Sequence, residues 1–287
     1  MAPDPAGIGD GTSGSNRLTN LQIRVLSSLV LVIVVLALTW LGALPFRMLC
    51  VIIAGAIFYE WTRMCRQNAA GGLGFLPEAL MLVFLGALVA GLPAATLLIL
   101  VAALVLVTAI AARMRNAPQW ETGGLAYAAL SGFSLAYLRG GDHAGLIAIL
   151  FLFAVVWATD ILAYFVGRSL GGPKLAPSIS PGKTWSGAVG GAVGGLLAGL
   201  AVAAMTGWAG LWASAVALLL AVVAQIGDLF ESFVKRRNGV KDSSHIIPGH
   251  GGVMDRVDGL VAAAFTLYVI GILFGSADNP ASGLVGG

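Results

Sequence analysis

The chain has 287 residues, of which 58% are hydrophobic and 10% are charged, and its mean hydropathy is +0.92. Soluble domains carry roughly 25% charged residues, so the composition excludes a soluble globular surface and implies an integral membrane protein. The net charge of +3 is too small an excess to argue for a nucleic-acid partner; it fits positive loops facing an anionic leaflet.

Residues 1–20 are rich in Pro, Gly, Ser, Asp and Asn and lack the basic start of a signal peptide, which predicts a short disordered cytoplasmic tail. Nine apolar runs follow, at about 23–42, 46–61, 76–91, 93–112, 124–138, 145–167, 186–206, 210–231 and 257–275. A helix needs ~20 residues to cross a bilayer, which makes the second, third and fifth runs short. Gly91-Leu92-Pro93 breaks the third from the fourth. The predicted fold is all-α and polytopic, with about nine transmembrane helices. About four fall in an N-terminal region over 21–122 and about five in a catalytic region over 123–276, with a short tail at 277–287. Forty glycines suit close helix packing in lipid. Cys50 and Cys65 are too few for a zinc site and read as buried free thiols.

Charge placement supplies an independent check. With nine spans and the N-terminus inside, Arg17, Arg24, Arg63, Arg66, Arg113, Arg115, Arg168, Lys174, Lys183, Lys235, Arg236, Arg237, Lys241 and Arg256 all fall on the cytoplasmic side. Only Arg47 and Arg139 do not. The expected topology is therefore N-terminus cytoplasmic, C-terminus outside, in the cell (inner or plasma) membrane.

The first five runs carry few interior charges, whereas Asp160, Asp228, Glu231, Asp255 and Asp258 lie at or near the ends of the last four. Asp160 stands inside an apolar run, two turns before Arg168, and an ionisable group at that depth needs a partner or a wet cavity. A structural Asp and a cavity-lining Asp both satisfy this.

The loop from Gly171 to Gly187 contains Gly182-Lys183-Thr184, which imitates the end of a P-loop. A P-loop places glycine where this chain has Pro177, and no strand is expected before it, so that reading is rejected. Ser180, Lys183 and Thr184 still precede an apolar helix whose first N–H groups attract anions. A phosphate site and an ordinary loop with a snorkelling lysine both fit.

At the end of the eighth run, spacings of three, four and seven put Asp228, Glu231, Ser232 and Lys235 on one helical face. Asp255 and Asp258 share a face at the opening of the ninth, after the His250-Gly251-Gly252 bend. Clustered carboxylates suit Mg²⁺, which takes one or two of them plus substrate phosphates. Lys235, Arg236, Lys241 and Arg256 are phosphate-binding cations beside them. On chemistry alone these residues read as a cytoplasmic-face site for a magnesium–polyphosphate complex, or as an ion or proton pathway.

The same residues resemble the phosphatidate cytidylyltransferases (CDP-diacylglycerol synthases). The family signature reads from Ser232 through Lys235-Arg236, Lys241-Asp242, Pro248 and His250-Gly251-Gly252 to Asp255-Arg256 and Asp258, a 27-residue pattern with every spacing kept. Asp160…Ala163-Tyr164…Gly167-Arg168, Ile179-Ser180-Pro181…Lys183-Thr184 and Gly227-Asp228-Leu229…Glu231-Ser232 are similar to the family too. Before about residue 125 only Arg24 and Glu60 look familiar. The family loop usually reads Ser-Pro-Lys-Lys-Thr-x-Glu-Gly; this chain has Gly182 for the first Lys and Ser186 for the Glu. Ile161-Leu162 replaces a smaller, more polar pair.

The resemblance implies transfer of the cytidylyl group of CTP to phosphatidate, giving CDP-diacylglycerol and pyrophosphate, with Mg²⁺ as cofactor and a homodimer in the bilayer. It implies Asp228 and Asp255 as metal ligands, with Asp258 beside them and Glu231 assisting. Lys235, Arg236, Lys241 and Arg256 would neutralise phosphates. Lys183, Ser180 and Thr184 would bind a phosphate from the opposite wall, and His250 would orient a phosphate or the metal shell. Asp160, Tyr164, Arg168 and Ser232 would line the cavity. A second metal or a monovalent cation is left open. The rivals are a CTP-dependent polyprenol or lipid kinase, which releases CDP, and an ion-coupled transporter.

Overall fold

The computed structural model describes residues 20–66, 73–208, 210–247 and 251–285. In chain order these form α1 (Asn20–Leu41), α2 (Ala43–Arg66), α3 (Leu76–Ala90), α4 (Ala94–Met114), α5 (Trp120–Arg139) and α6 (His143–Leu170). Then come β1 (Lys174–Ala176), β2 (Ser180–Thr184), α7 (Trp185–Thr206), α8 (Leu211–Arg237), α9 (Met254–Phe274) and α10 (Pro280–Val285). Each of the nine apolar runs lies on a helix. Among the described residues, six helices are long and apolar enough to cross a membrane: α2, α4, α6, α7, α8 and α9. The expected tail at residues 1–20 lies, but for Asn20, outside the described residues.

The outer surface is apolar, as lipid requires: Ile52, Leu82 and Ile99 are more than 60% exposed. The polar residues turn inward instead. α5 is largely enclosed and buries Glu121, Ser131, Ser134 and Arg139. Cys50 and Cys65 are buried free thiols, as the composition suggested.

Arg139, one of the two exceptions to the charge segregation, is a buried clamp. Its guanidinium donates to Thr39 O (2.6 Å) and Trp40 O (3.2 Å) in the last turn of α1, and to Asp142 O (3.0 Å). The Thr39 and Trp40 carbonyls lie at the negative dipole end of α1, so a cation there is a local structural device. The other exception, Arg47, lies with its guanidinium against Gly91 at the α3–α4 break.

The segment after α9 folds back on the bundle: α10 packs on α9, α6 and α5. Asp278 Oδ1 accepts from Ala94 N at 2.6 Å and so completes the start of α4. Asn279 Nδ2 donates to Asp142 Oδ2 at 2.7 Å, beside the start of α6.

Among the described helices, α6 and α7 pack together most extensively. A Cβ at Gly187 would stand 2.7 Å from Ala163 O, so only glycine lets the two backbones meet there. The one sheet among the described residues, against an all-helical reading, is the β1–β2 hairpin between these helices. It pairs antiparallel, with Lys174 opposite Thr184 and Ala176 opposite Ser180 and an irregular register between. No strand was expected before Gly182-Lys183-Thr184, yet β1 precedes it. Prolines at 173, 177 and 181 prevent a helix here, and a two-stranded hairpin needs outside support to be stable. Trp185 N donates to Pro173 O at 3.0 Å, and Arg236 Nε on α8 donates to Ile179 O at 3.3 Å. The P-loop remains rejected, because these three residues lie in β2 and its join to α7.

Candidate active site

The helix directions bring the C-terminal ends of α6 and α8 and the N-terminal ends of α7 and α9 to one end of the bundle. There they enclose a cavity of about 880 Å³ roofed by the hairpin. α6 contributes Asp160, Tyr164 and Arg168, whose spacing of four puts them on one helical face. Arg168 Nη1 donates to Tyr164 Oη at 2.8 Å. The hairpin contributes Lys174, Ser180, Gly182, Lys183 and Thr184; α8 contributes Gln225 and Asp228; α9 contributes Asp255, Arg256 and Asp258.

Lys183 forms an ion pair with Asp228, so the hairpin and α8 are joined across the cavity. Ser232 Oγ stands 3.4 Å from the other oxygen of Asp228. Thr184 is buried and its hydroxyl accepts from Gly187 N at 3.1 Å, which makes it the N-cap of α7. Ser186, where the family loop has Glu, donates to Gly171 O and holds the hairpin's base. A Cβ at Gly182 would meet nothing within 4 Å, so its side of the hairpin is open.

Asp255 is held from several directions. Its Oδ2 accepts from Ser243 N (2.9 Å), Ser243 Oγ (2.9 Å) and Gly252 N (2.8 Å). Its Oδ1 accepts from Lys235 Nζ at 2.6 Å, and that ammonium also lies 3.2 Å from Glu231 Oε1. Asp258 Oδ1 accepts from Gly259 N at 2.7 Å. Asp160, Asp228 and Asp258 interact electrostatically across the cavity. Among the described residues no three His, Cys, Asp or Glu side chains converge as a ready-made ion cage.

Several residues singled out in the sequence stand around the cavity rather than on its described lining. Glu231 is fully buried beneath it, paired with Lys235. Arg236 is exposed and braces the hairpin and the α8 C-terminus, donating also to Val240 O at 3.0 Å. Lys241 is exposed on the loop that follows. His250 lies outside the described residues.

Glu60 is the residue whose part the sequence did not disclose. It sits on α2, is 0% exposed, and accepts from Ser244 Oγ (2.6 Å), Ser243 Oγ (2.9 Å), Val253 N (2.8 Å) and Met254 N (2.8 Å). The α9 start is thereby completed from a distant helix. A Cβ at Gly252 would come within 2.6 Å of either Glu60 carboxylate oxygen, which explains that glycine. The available signals are a carboxylate at the end of the second apolar run and the family resemblance at that position.

Two comparisons with known proteins bear on this site. Residues 22–274 match the Cytidylyltransferase family. The phosphatidate cytidylyltransferase of Brucella suis is 47% identical over 279 residues, covering 92% of this chain and 98% of the relative. The protein of the same name from Bacillus subtilis is 33% identical over 275 residues, covering 90% and 100% respectively. That from Rickettsia bellii is 29% identical over 265 residues, covering 89% and 93%.

Proposed function

The chain belongs to the cytidylyltransferase family, and on that premise we propose that it transfers the cytidylyl group of CTP to phosphatidate, releasing CDP-diacylglycerol and pyrophosphate for phospholipid synthesis. The observation that carries this reading is the cavity itself. Four carboxylates, Asp160, Asp228, Asp255 and Asp258, face Lys174, Lys183, Arg168 and Arg256 at one end of a membrane helix bundle. Such a mixture of cations and hard oxygens suits phosphates and a divalent ion together.

In the proposed reaction an oxygen of the lipid phosphate attacks the α-phosphorus of CTP in line. The new P–O bond forms as the bond to the β-phosphate oxygen breaks, and pyrophosphate leaves with that electron pair. The attacking oxygen is already anionic near neutral pH, so the residues need only position and neutralise. Lys183 and Arg256 hold phosphate oxygens from opposite walls, with Ser180 beside Lys183. Arg168, carried on Tyr164, faces the incoming headgroup. Arg236 and Lys241 add positive potential around the mouth, and His250 orients a phosphate or the metal shell. Thr184 acts through the start of α7, which it caps.

The donor set fits Mg²⁺ completed by substrate phosphates, because that ion uses one or two carboxylates rather than a full protein cage. Asp228 and Asp255 would hold it, with Asp258 adjacent and Glu231 acting through Lys235. When bound, it would offset the charge that builds on the phosphates during transfer. A second metal or a monovalent cation is compatible with the remaining carboxylates.

The site faces the cytoplasm in this reading, with nine spans, the N-terminus inside and the C-terminus outside. The segregation of cationic residues supports it, more firmly now that Arg139 has a structural reason to be an exception. CTP then arrives from water while the acyl chains stay in hydrocarbon. Homodimerisation belongs to the same reading, on the family resemblance alone.

The test is a product assay on purified protein in detergent–lipid micelles with CTP, phosphatidate and Mg²⁺. Equal yields of pyrophosphate and lipid-linked cytidine, lost on chelation, are expected. CDP without pyrophosphate would mean a lipid kinase instead. Folded protein with no turnover would favour an ion-coupled transporter.

A further inference from the structure

Glu60 belongs to none of the sequence motifs around the cavity, yet it shares a hydroxyl donor with one of their carboxylates. It is buried, and its four partners are two hydroxyls and two backbone amides rather than a cation. A buried carboxylate is a costly way to complete a helix start, since a hydroxyl can do the same. The arrangement has a further consequence. Ser243 Oγ lies 2.9 Å from Glu60 Oε2 and 2.9 Å from Asp255 Oδ2. One hydroxyl proton therefore serves two carboxylates, and the same turn supplies Gly252 N to Asp255. The orientation of Asp255 is thus coupled to a residue on α2.

We propose that Glu60 is a positioning residue for the transfer: by holding the Ser243–Met254 turn it fixes the Asp255 carboxylate at the cavity wall, with Oδ2 on the turn and Oδ1 on Lys235. This rests on the functional reading above. Glu60→Gln sets an NH₂ against one of the two donor pairs, Ser243 Oγ with Met254 N or Ser244 Oγ with Val253 N, and so loosens the turn that holds Ser243 and Gly252 N against Asp255. Groups that orient a metal-binding carboxylate typically change affinity or activity by about 10–100-fold.

The experiment compares Glu60→Gln, Ser243→Ala and a control, Glu121→Gln, with the unmodified protein. Glu121 is another buried carboxylate at this end of the bundle, but it pairs with Arg66 (2.9 Å). For each, turnover, the Mg²⁺ concentration for half-maximal transfer, the thermal midpoint and amide exchange over 251–255 are measured. Glu60→Gln is expected to raise the half-activating Mg²⁺ concentration about tenfold or more and to speed exchange at Val253 and Met254. Ser243→Ala is expected to do the same more weakly, with the double variant no worse than Glu60→Gln alone. Glu121→Gln is expected to lower the midpoint without moving the Mg²⁺ requirement. Wild-type Mg²⁺ dependence and exchange in Glu60→Gln would overturn the proposal, as would losses that simply track the midpoint as in the control. If Glu60→Gln does not fold, Ser243→Ala decides by the same readings. Failure of the unmodified protein to transfer cytidylyl groups would instead overturn the functional reading, with the exchange data still deciding what Glu60 holds.

Discussion

Lys235 Nζ donates to Asp255 Oδ1 at 2.6 Å and lies 3.2 Å from Glu231 Oε1, so one ammonium joins the last turns of α8 to the first turn of α9. The three side chains are 12%, 6% and 0% exposed. Two buried carboxylates thus lean on a single cation. The Glu231–Lys235 contact follows the i,i+4 spacing of a helix; the contact with Asp255 depends on how α8 and α9 pack.

Lys235→Met keeps most of the apolar stem and removes the charge. Breaking a buried ion pair by deleting one partner costs about 3–5 kcal/mol, because the remaining charge is left uncompensated. The thermal midpoint of the purified protein is expected to fall clearly, and turnover with it. An unchanged midpoint in a scan of both proteins would refute the stabilising role of this ammonium.

Asp255→Asn preserves shape but replaces one acceptor oxygen with an amide NH₂. Either rotamer then sets a donor against Lys235 or against the Ser243 and Gly252 amides. Turnover is expected to fall by about 10²-fold or more, as when a group that stabilises transition-state charge is lost, while the protein stays folded. Near-wild-type turnover in folded protein, measured as pyrophosphate release, would remove Asp255 from the metal set.

Lys183 pairs with Asp228 and lines the cavity. A charge-assisted hydrogen bond contributes about 1.5–3 kcal/mol, and each 1.4 kcal/mol is a factor of about ten in affinity. Lys183→Ala is therefore expected to raise KM for one phosphate substrate by about tenfold or more. Steady-state kinetics with each substrate varied in turn would check it, and two unchanged KM values would return the hairpin to a structural role.

Topology is open to direct labelling. Ser178, on the hairpin turn, and Ser282, on α10, are both exposed and lie at opposite ends of the bundle in the proposed orientation. A membrane-impermeant maleimide on intact cells is expected to label the Ser282→Cys protein and spare the Ser178→Cys protein, with the reverse in inside-out vesicles. Labelling of Ser178→Cys on intact cells would invert the proposed orientation.

Much of this molecule was legible from residue order because lipid makes strong demands on neighbouring residues. A helix must be apolar over its whole length to sit in hydrocarbon, so all nine runs coincide with helices. Some helices continue past the apolar stretch that marks them. α2 extends to Arg66, whose guanidinium pairs with Glu78 and Glu121. The hairpin is not legible in the sequence because a three-residue and a five-residue strand, with Pro177 between them and Pro181 inside the second, carry almost no periodic signal.

The sequence by itself determined the class of protein, the places of the helices and the family, since composition, hydropathy and one 27-residue pattern are all local properties. It also marked which residues carry charge into the bundle. Only the tertiary structure decided what those charges meet. Glu60 reaches Met254 across 194 positions, Lys183 meets Asp228 from the hairpin, and Arg139 clamps carbonyls about 100 positions earlier. No local spacing encodes such pairs. They arise because a buried polar group in an apolar bundle must find its partner wherever helix packing brings one within reach.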